Sequence, residues 1–331
     1  MNDAPWTQRV AEGRVTGYSH INKFGLNPDV DTATTPETIW DAGGLYVEPT
    51  QARLHNVAST STEDAGSVVS SGTATGGSKT TLVDTSATFS SDGVAAGDVI
   101  INDTTKEHAV VVTVTSETVL TVDFTVHNGV LASNGDTYRV INATGTGSSV
   151  IHIYGCDSDG YAAEEFVVMN GTTTVATTTS FISIHRMHSD GSASDAGNVG
   201  TITATAQTDA TVTAQINPGN GTTLMCVYMV PRGKEGYMTS WAVTLSRTSG
   251  TSDTTAQMQL DIHPDGIHDK MGGRIADNCT LGSGGSSAFQ RTFDPPLHLT
   301  QGTEVYIDCV YASANNLLIS GDFDIILKDL S

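Results

Sequence analysis
The chain has 331 residues, with 36 acidic against 15 basic side chains and a formal net charge of −21. A surface of that sign repels phosphate backbones, so nucleic acid is excluded as an expected partner. No run reaches the ~18 apolar residues of a membrane span. The start, MNDAPWTQRV, lacks the apolar centre of a secretion signal, so no membrane partner is expected and synthesis in a cytoplasm is the default.

Only 6% of residues are aromatic and 15% charged, while glycines number 34 and Ser and Thr fill much of the remainder. Apolar runs recur throughout. The composition therefore predicts an all-β chain rich in turns rather than disorder, with about two domains as the prior from length.

Residues 1–20 read as a polar N-terminal arm, with Trp6 and Val10 as its anchors. In 20–50, Asn27-Pro28-Asp29 starts a turn, and Thr35-Pro36-Glu37 reads as a helix N-terminus, Thr as cap and Pro at N1. That helix would run one turn through Ile39 and Trp40 and stop at Gly43-Gly44, inside a long loop pinned by Phe24, Ile39, Trp40 and Tyr46. Asp29, Asp31, Glu37 and Asp41 are expected to serve as caps and Asx-turns rather than as a calcium site. Residues 51–63 form a strand leaving the loop.

Ser/Gly-rich boundaries near 66 and 147 enclose short strands at regular spacing: Lys79–Asp84, Val99–Asn102, Ala109–Thr115, Thr118–Phe124 and Thr137–Ile141. This block, 67–147, is predicted to be a small β-barrel or sandwich nested in a host β domain made of 21–66 and 148–210. Strand 51–60 and Val150–Tyr154 are the expected neighbours across the insertion.

After it, Glu164–Met169 and Thr173–Ala176 flank Asn170-Gly171, a hairpin signal. Phe181–Met187 alternates, placing His185 and His188 on strand faces around Arg186, and 189–198 reads as loop. Residues 211–331 are predicted to form a C-terminal sandwich, the whole being jelly-roll-like or a related antiparallel β-sandwich. Its centre is a three-strand meander over 212–248, turning at Asn217–Gly221 and Pro231–Gly236. The middle strand, Leu224–Val230, is apolar almost without break and should be covered on both faces. The third puts Tyr237, Thr239, Trp241, Val243 and Leu245 on one side. Gln257–Ile262 follows, then a glycine-rich excursion over 264–287 and strands at Ala288–Phe293, Leu297–Leu299, Glu304–Tyr311 and Leu317–Leu330.

Candidate sites are few. Asp157-x-Asp159-Gly160 opens like a calcium loop but lacks the later acidic positions, so an Asx-turn is the preferred reading. His263, Asp265, His268 and Asp269 crowd one loop that could take a divalent metal, but no helix enforces a common face. Cys156, Cys226, Cys279 and Cys309 match no zinc spacing, and Cys226 and Cys309 read as buried thiols. No nucleophile motif has a strand–turn–helix setting. The residues thus predict no catalytic set, no cofactor and no resident metal.

Three stretches resemble a family of tailed-bacteriophage virion proteins: Gly17–Tyr46 (GYSHINKFGLNPDVDTATTPETIWDAGGLY), Gly171–Met187 (GTTTVATTTSFISIHRM) and Ala214–Tyr237 (AQINPGNGTTLMCVYMVPRGKEGY). The insertion, with GTATGGSKTTLVDTSATF and then GDVI, separately resembles small β modules appended to phage structural proteins. The resemblance implies a non-enzymatic virion component assembled in the host cytoplasm. Head decoration or a minor capsid role is the first expectation. A tail adaptor, fibre or receptor-binding spike is the alternative, and a glycan-binding or depolymerase module the third. Implied partners are further copies of the chain, by analogy a trimer, together with the major capsid protein or tail proteins.

Overall fold
The computed structural model describes residues 5–123, 131–192, 197–247, 254–264, 274–283 and 287–330. The fold is all-β, and its sheets are antiparallel throughout. The one helix among the described residues is Trp6–Ala11, too short to cross a membrane. It buries Val10 and rests Trp6 edge-on against Tyr18 at 5.3 Å.

Three cores organise the chain. The first fills a sandwich of two sheets. One sheet runs Tyr18–Val30, Leu317–Asp329, Lys234–Arg247, Ser287–Leu299, and the other Val227–Met229, Glu304–Ala312, Thr254–His263, Arg274–Ser283. Trp241, Phe323, Ile307 and Leu260 meet between them. The opening strand therefore belongs with the C-terminal sandwich, not with the 21–66 and 148–210 host in which it was expected. Its thirteen residues find their partner in Leu317–Asp329, Tyr18 opposite Lys328 and Leu26 opposite Ser320. The expected turn at Asn27-Pro28-Asp29 survives as an irregularity in this strand, where Asn27 Oδ1 accepts from the Asp29 N–H.

The second core lies in a middle layer. Ala162–Val168, Ser148–Asp157 and Phe181–Ser192 form one sheet, facing Val175–Ala176, His55–Ser59, Ile202–Ala206 and Val212–Ile216. Residues 55–59 and 148–157 do not pair as expected; they lie in different sheets, with Val57, Ile151 and Ile153 sharing the core. The Asn170-Gly171 turn is likewise a corner and not a hairpin, because Val175 pairs with Val57.

The third core belongs to residues 66–143. Seven strands follow the order Gly66–Thr73, Thr137–Ala143, Val99–Asn102, His108–Ser116, Val119–Asp123, Thr81–Val83, Gly76–Ser78. The first and last are consecutive in the chain, so the sheet rolls shut into a small barrel around Leu82, Phe89, Ile100, Leu120 and Tyr138. Barrel and middle layer meet through Val99, Ile101, Ile141, Val150 and Phe166.

Residues 212–248 are not a meander. Val212–Ile216 pairs with Ile202–Ala206, Val227–Met229 with residues 304–306, and Lys234–Arg247 with Leu317–Asp329 and Ser287–Leu299. Their two turns are crossings between sheets. A bulge between Met238 and Ser240 also shifts the side-chain parity of the last strand, so Met238 shares the buried side with Trp241, Val243 and Leu245. No helix starts at Thr35. Glu37–Thr38 extends and pairs with Cys309 and Asp308, while the buried Glu37 carboxylate accepts from Asn27 Nδ2 at 2.8 Å and the Gly44 N–H at 3.1 Å. That carboxylate thus closes the loop instead of starting a helix. Much of the expected 264–287 excursion is strand Arg274–Ser283, paired with Thr254–His263.

Candidate functional site: a cleft and a histidine–carboxylate cluster
A cleft of about 710 Å³ separates the edge of strand Tyr18–Val30 from the sheet of Ser148–Asp157. On one wall stand Lys23 and Phe24, on the other Tyr154, Glu164, Arg186 and His188. The Arg186 guanidinium sits 4.4 Å from the centre of the Phe24 ring, a cation–π contact that joins the walls. Lys23 is 2% exposed and donates through Nζ to the His185 carbonyl. Burial, with Arg186 close by, holds the Lys23 ammonium well below its ordinary range. Burial and the neighbouring Lys23 do the same to His185. Three basic side chains, Lys23, His185 and Arg186, therefore gather at this cleft, and burial disfavours charge on Lys23 and His185.

Glu164 and His188 continue from the cleft into a second constellation. His152, centred in Ser148–Asp157, lies opposite Phe166 on one neighbour and opposite His188 on the other. Its ring stacks on Phe166 at 3.8 Å between centroids, with Tyr154 at 4.0 Å, so its orientation is fixed by packing. Glu164 Oε2 is 3.0 Å from His152 Nε2. On the other side, His152 Nδ1 faces Asp190 Oδ2 at 3.3 Å. Asp190 is the extra residue where the register slips between Val150↔Gly191 and Ile151↔Ser189, and such a bulge re-aims a side chain.

His108 arrives from the barrel, with Nε2 3.5 Å from Asp190 Oδ1, and His188 Nε2 lies 3.6 Å from the same oxygen. Burial opposes charge on the His152 imidazole, but the Asp190 and Glu164 carboxylates outweigh it and raise its affinity for a proton. Among the described residues, His108, His152 and Asp190 are the one group of three whose ligand atoms all lie within 4.8 Å of one another.

The motif candidates lie elsewhere. Asp157 Oδ1 accepts from the N–H groups of Asp159 at 2.9 Å and Tyr161 at 3.0 Å, an Asx-turn. His263 ends a strand, its Nδ1 2.7 Å from Glu48 Oε1 and its Nε2 2.7 Å from the Tyr306 hydroxyl. Asp265, His268 and Asp269 lie outside the described residues. All four cysteines are buried and free.

Sequence reasoning missed His108, His152 and Asp190 because they are 44 and 38 positions apart in separate strands, and the sequence of 189–198 reads as loop. The usable signal was the spacing of His188 and Asp190 at the end of a clean alternation. No protein-family model matches the chain, and no curated protein matches it.

Proposed function
We propose that the chain is a structural subunit of a tailed-bacteriophage particle, a head decoration or minor capsid component that holds neighbouring protein and turns over no substrate. The virion part of this reading rests on the resemblance of Gly17–Tyr46, Gly171–Met187 and Ala214–Tyr237. The observation that carries its assembly part is one flank of the sandwich. Ser287–Leu299 ends one sheet and Arg274–Ser283 ends the other, and the two strands follow each other in the chain. Both sheets therefore finish on the same side, where edge main chain can pair with another polypeptide. Pro295 and Pro296 lack donors and confine such pairing to the 287–293 half. Ile275, 52% exposed, adds an apolar contact to that flank.

Quantitative mass spectrometry of purified particles tests the assignment. A copy number comparable with the major shell protein supports a head role. A handful of copies per particle moves the chain to the tail, as adaptor, fibre or spike. Release of sugars from host surface glycans by the purified chain would replace the structural reading with a depolymerase.

A further inference from the structure
The geometry points to a zinc site formed by His108, His152 and Asp190, with the fourth position left to water, that fastens the inserted barrel to the middle layer. This is independent of where the chain sits in a particle. Four ligands about 2.05 Å from a tetrahedral ion lie roughly 3.4 Å from one another. One ligand atom from each of the three residues lies within 4.8 Å of the others, with His152 Nδ1 3.3 Å from Asp190 Oδ2 and His108 Nε2 3.5 Å from Asp190 Oδ1.

Two buried atoms at the centre call for a cation. His152 Nδ1 and Asp190 Oδ2 each lack a hydrogen bond, though their side chains are only 3% and 4% exposed. With the Nε2 hydrogen donated to Glu164, the Nδ1 lone pair faces a carboxylate oxygen across 3.3 Å. Two lone pairs at that distance repel unless a positive centre joins them, a proton on Nδ1 or a metal ion in its place. The Glu164–His152 contact is the outer carboxylate that fixes the tautomer of a metal-bound imidazole. Imidazoles with a single carboxylate suit a borderline ion such as Zn²⁺ and not Ca²⁺ or Mg²⁺, which take oxygen ligands.

The ligands also come from different modules. His108 lies on barrel strand His108–Ser116, whereas His152 and Asp190 lie on two middle-layer strands. An ion held by both would couple its binding energy to their docking.

The test uses the full chain stripped with a chelator and titrated with ZnCl₂ by calorimetry, then with Co²⁺ for its visible spectrum. Expected are one ion per chain, the intense bands of tetrahedral Co²⁺, and a Tm that rises with zinc concentration. His108→Ala should abolish both the stoichiometric binding and the Tm rise. His188→Ala, at a half-exposed position outside the group of three, should keep the fold and bind zinc as wild type does. The inference is overturned if the wild-type chain takes up no stoichiometric zinc, if Co²⁺ gives the pale spectrum of an octahedral site, or if His108→Ala binds as tightly as wild type.

Discussion

Met225 and Cys226 are adjacent in the chain, yet their side chains enter different cores. Met225 joins Ile151, Ile184 and Ile216 in the middle layer, and Cys226 joins Phe323, Ile307 and Val243 in the sandwich. The alternation continues, with Val227 in the middle layer and Tyr228 and Val230 in the sandwich. Both faces of one extended segment are thus internal, and strand Tyr18–Val30 crosses so closely that a Cβ on Gly25 would lie 2.6 Å from the Cys226 nitrogen.

A shared strand ties the sandwich and the middle layer into one cooperative unit. Met225→Ala should therefore cost about 2–5 kcal/mol and lower a single unfolding transition. Denaturant melts in a Trp6→Phe, Trp40→Phe background, where the remaining fluorescence comes from Trp241 in the sandwich, check this. If the signal from Trp241 held its midpoint while far-UV circular dichroism lost amplitude earlier, the two layers would be independent.

Asp64 gathers the two ends of the insertion. Fully buried, it accepts from the N–H groups of Ser148, Val199 and Gly200, each at 2.8 Å, and from the Ser59 hydroxyl at 2.5 Å. Asp64→Asn keeps the shape but turns one acceptor into a donor facing donors. The expected loss is on the order of 3 kcal/mol, with protease cleavage appearing first near residues 60–66 and 144–148. Unchanged proteolysis together with unchanged stability would show that the junction is held by other contacts.

The fold class was legible because composition and turn chemistry are local, and the nested block was visible as a change of texture. The burial of Met225–Val230 followed from the unbroken apolar run that Leu224 opens. Strand partners were not legible. Asn170-Gly171 and Pro231–Gly236 carry the chemistry of tight turns, but whether a turn returns the chain to the same sheet depends on distant partners such as Val57 and Leu327. The Thr35-Pro36-Glu37 start failed for a similar reason. The Glu37 carboxylate gains more from the Asn27 amide and loop N–H groups than from a one-turn helix. The histidine–carboxylate cluster was hidden because its members meet only when the barrel docks.

Two buried groups give the chain opposing pH dependences. Burial, with Arg53 nearby, lowers the His55 pKa from 6.5 to about 4, and burial raises the Asp308 pKa from 3.8 to about 6. Between pH 6.5 and 4 the unfolded chain binds more protons at position 55, so this residue removes stability on acidification, roughly 3 kcal/mol in full. Asp308 does the reverse: the folded chain holds its proton from about pH 6 down to 3.8, so stability rises over that window as pH falls. In denaturation series from pH 8 to 4, His55→Gln should gain on wild type as pH falls, and Asp308→Asn should lose its advantage. Differences that stay constant with pH would refute both assignments.

The thiols should be inert in the native chain. Burial pushes Cys156 and Cys309 up to about 12 and Cys279 up to about 11, and it raises Cys226 as well. Ellman's reagent should therefore label none of the four until denaturant is added, and then all four. Rapid labelling of native protein would place at least one thiol in an open, reactive setting.

A cryo-EM reconstruction of intact phage particles bears most directly on the proposed role as a building block. The expected result is density for the barrel and both β layers at symmetry-related positions, with the flank of residues 274–299 against a neighbouring protein. Particles that lack the chain, or that carry it with this flank facing open solvent, would contradict it.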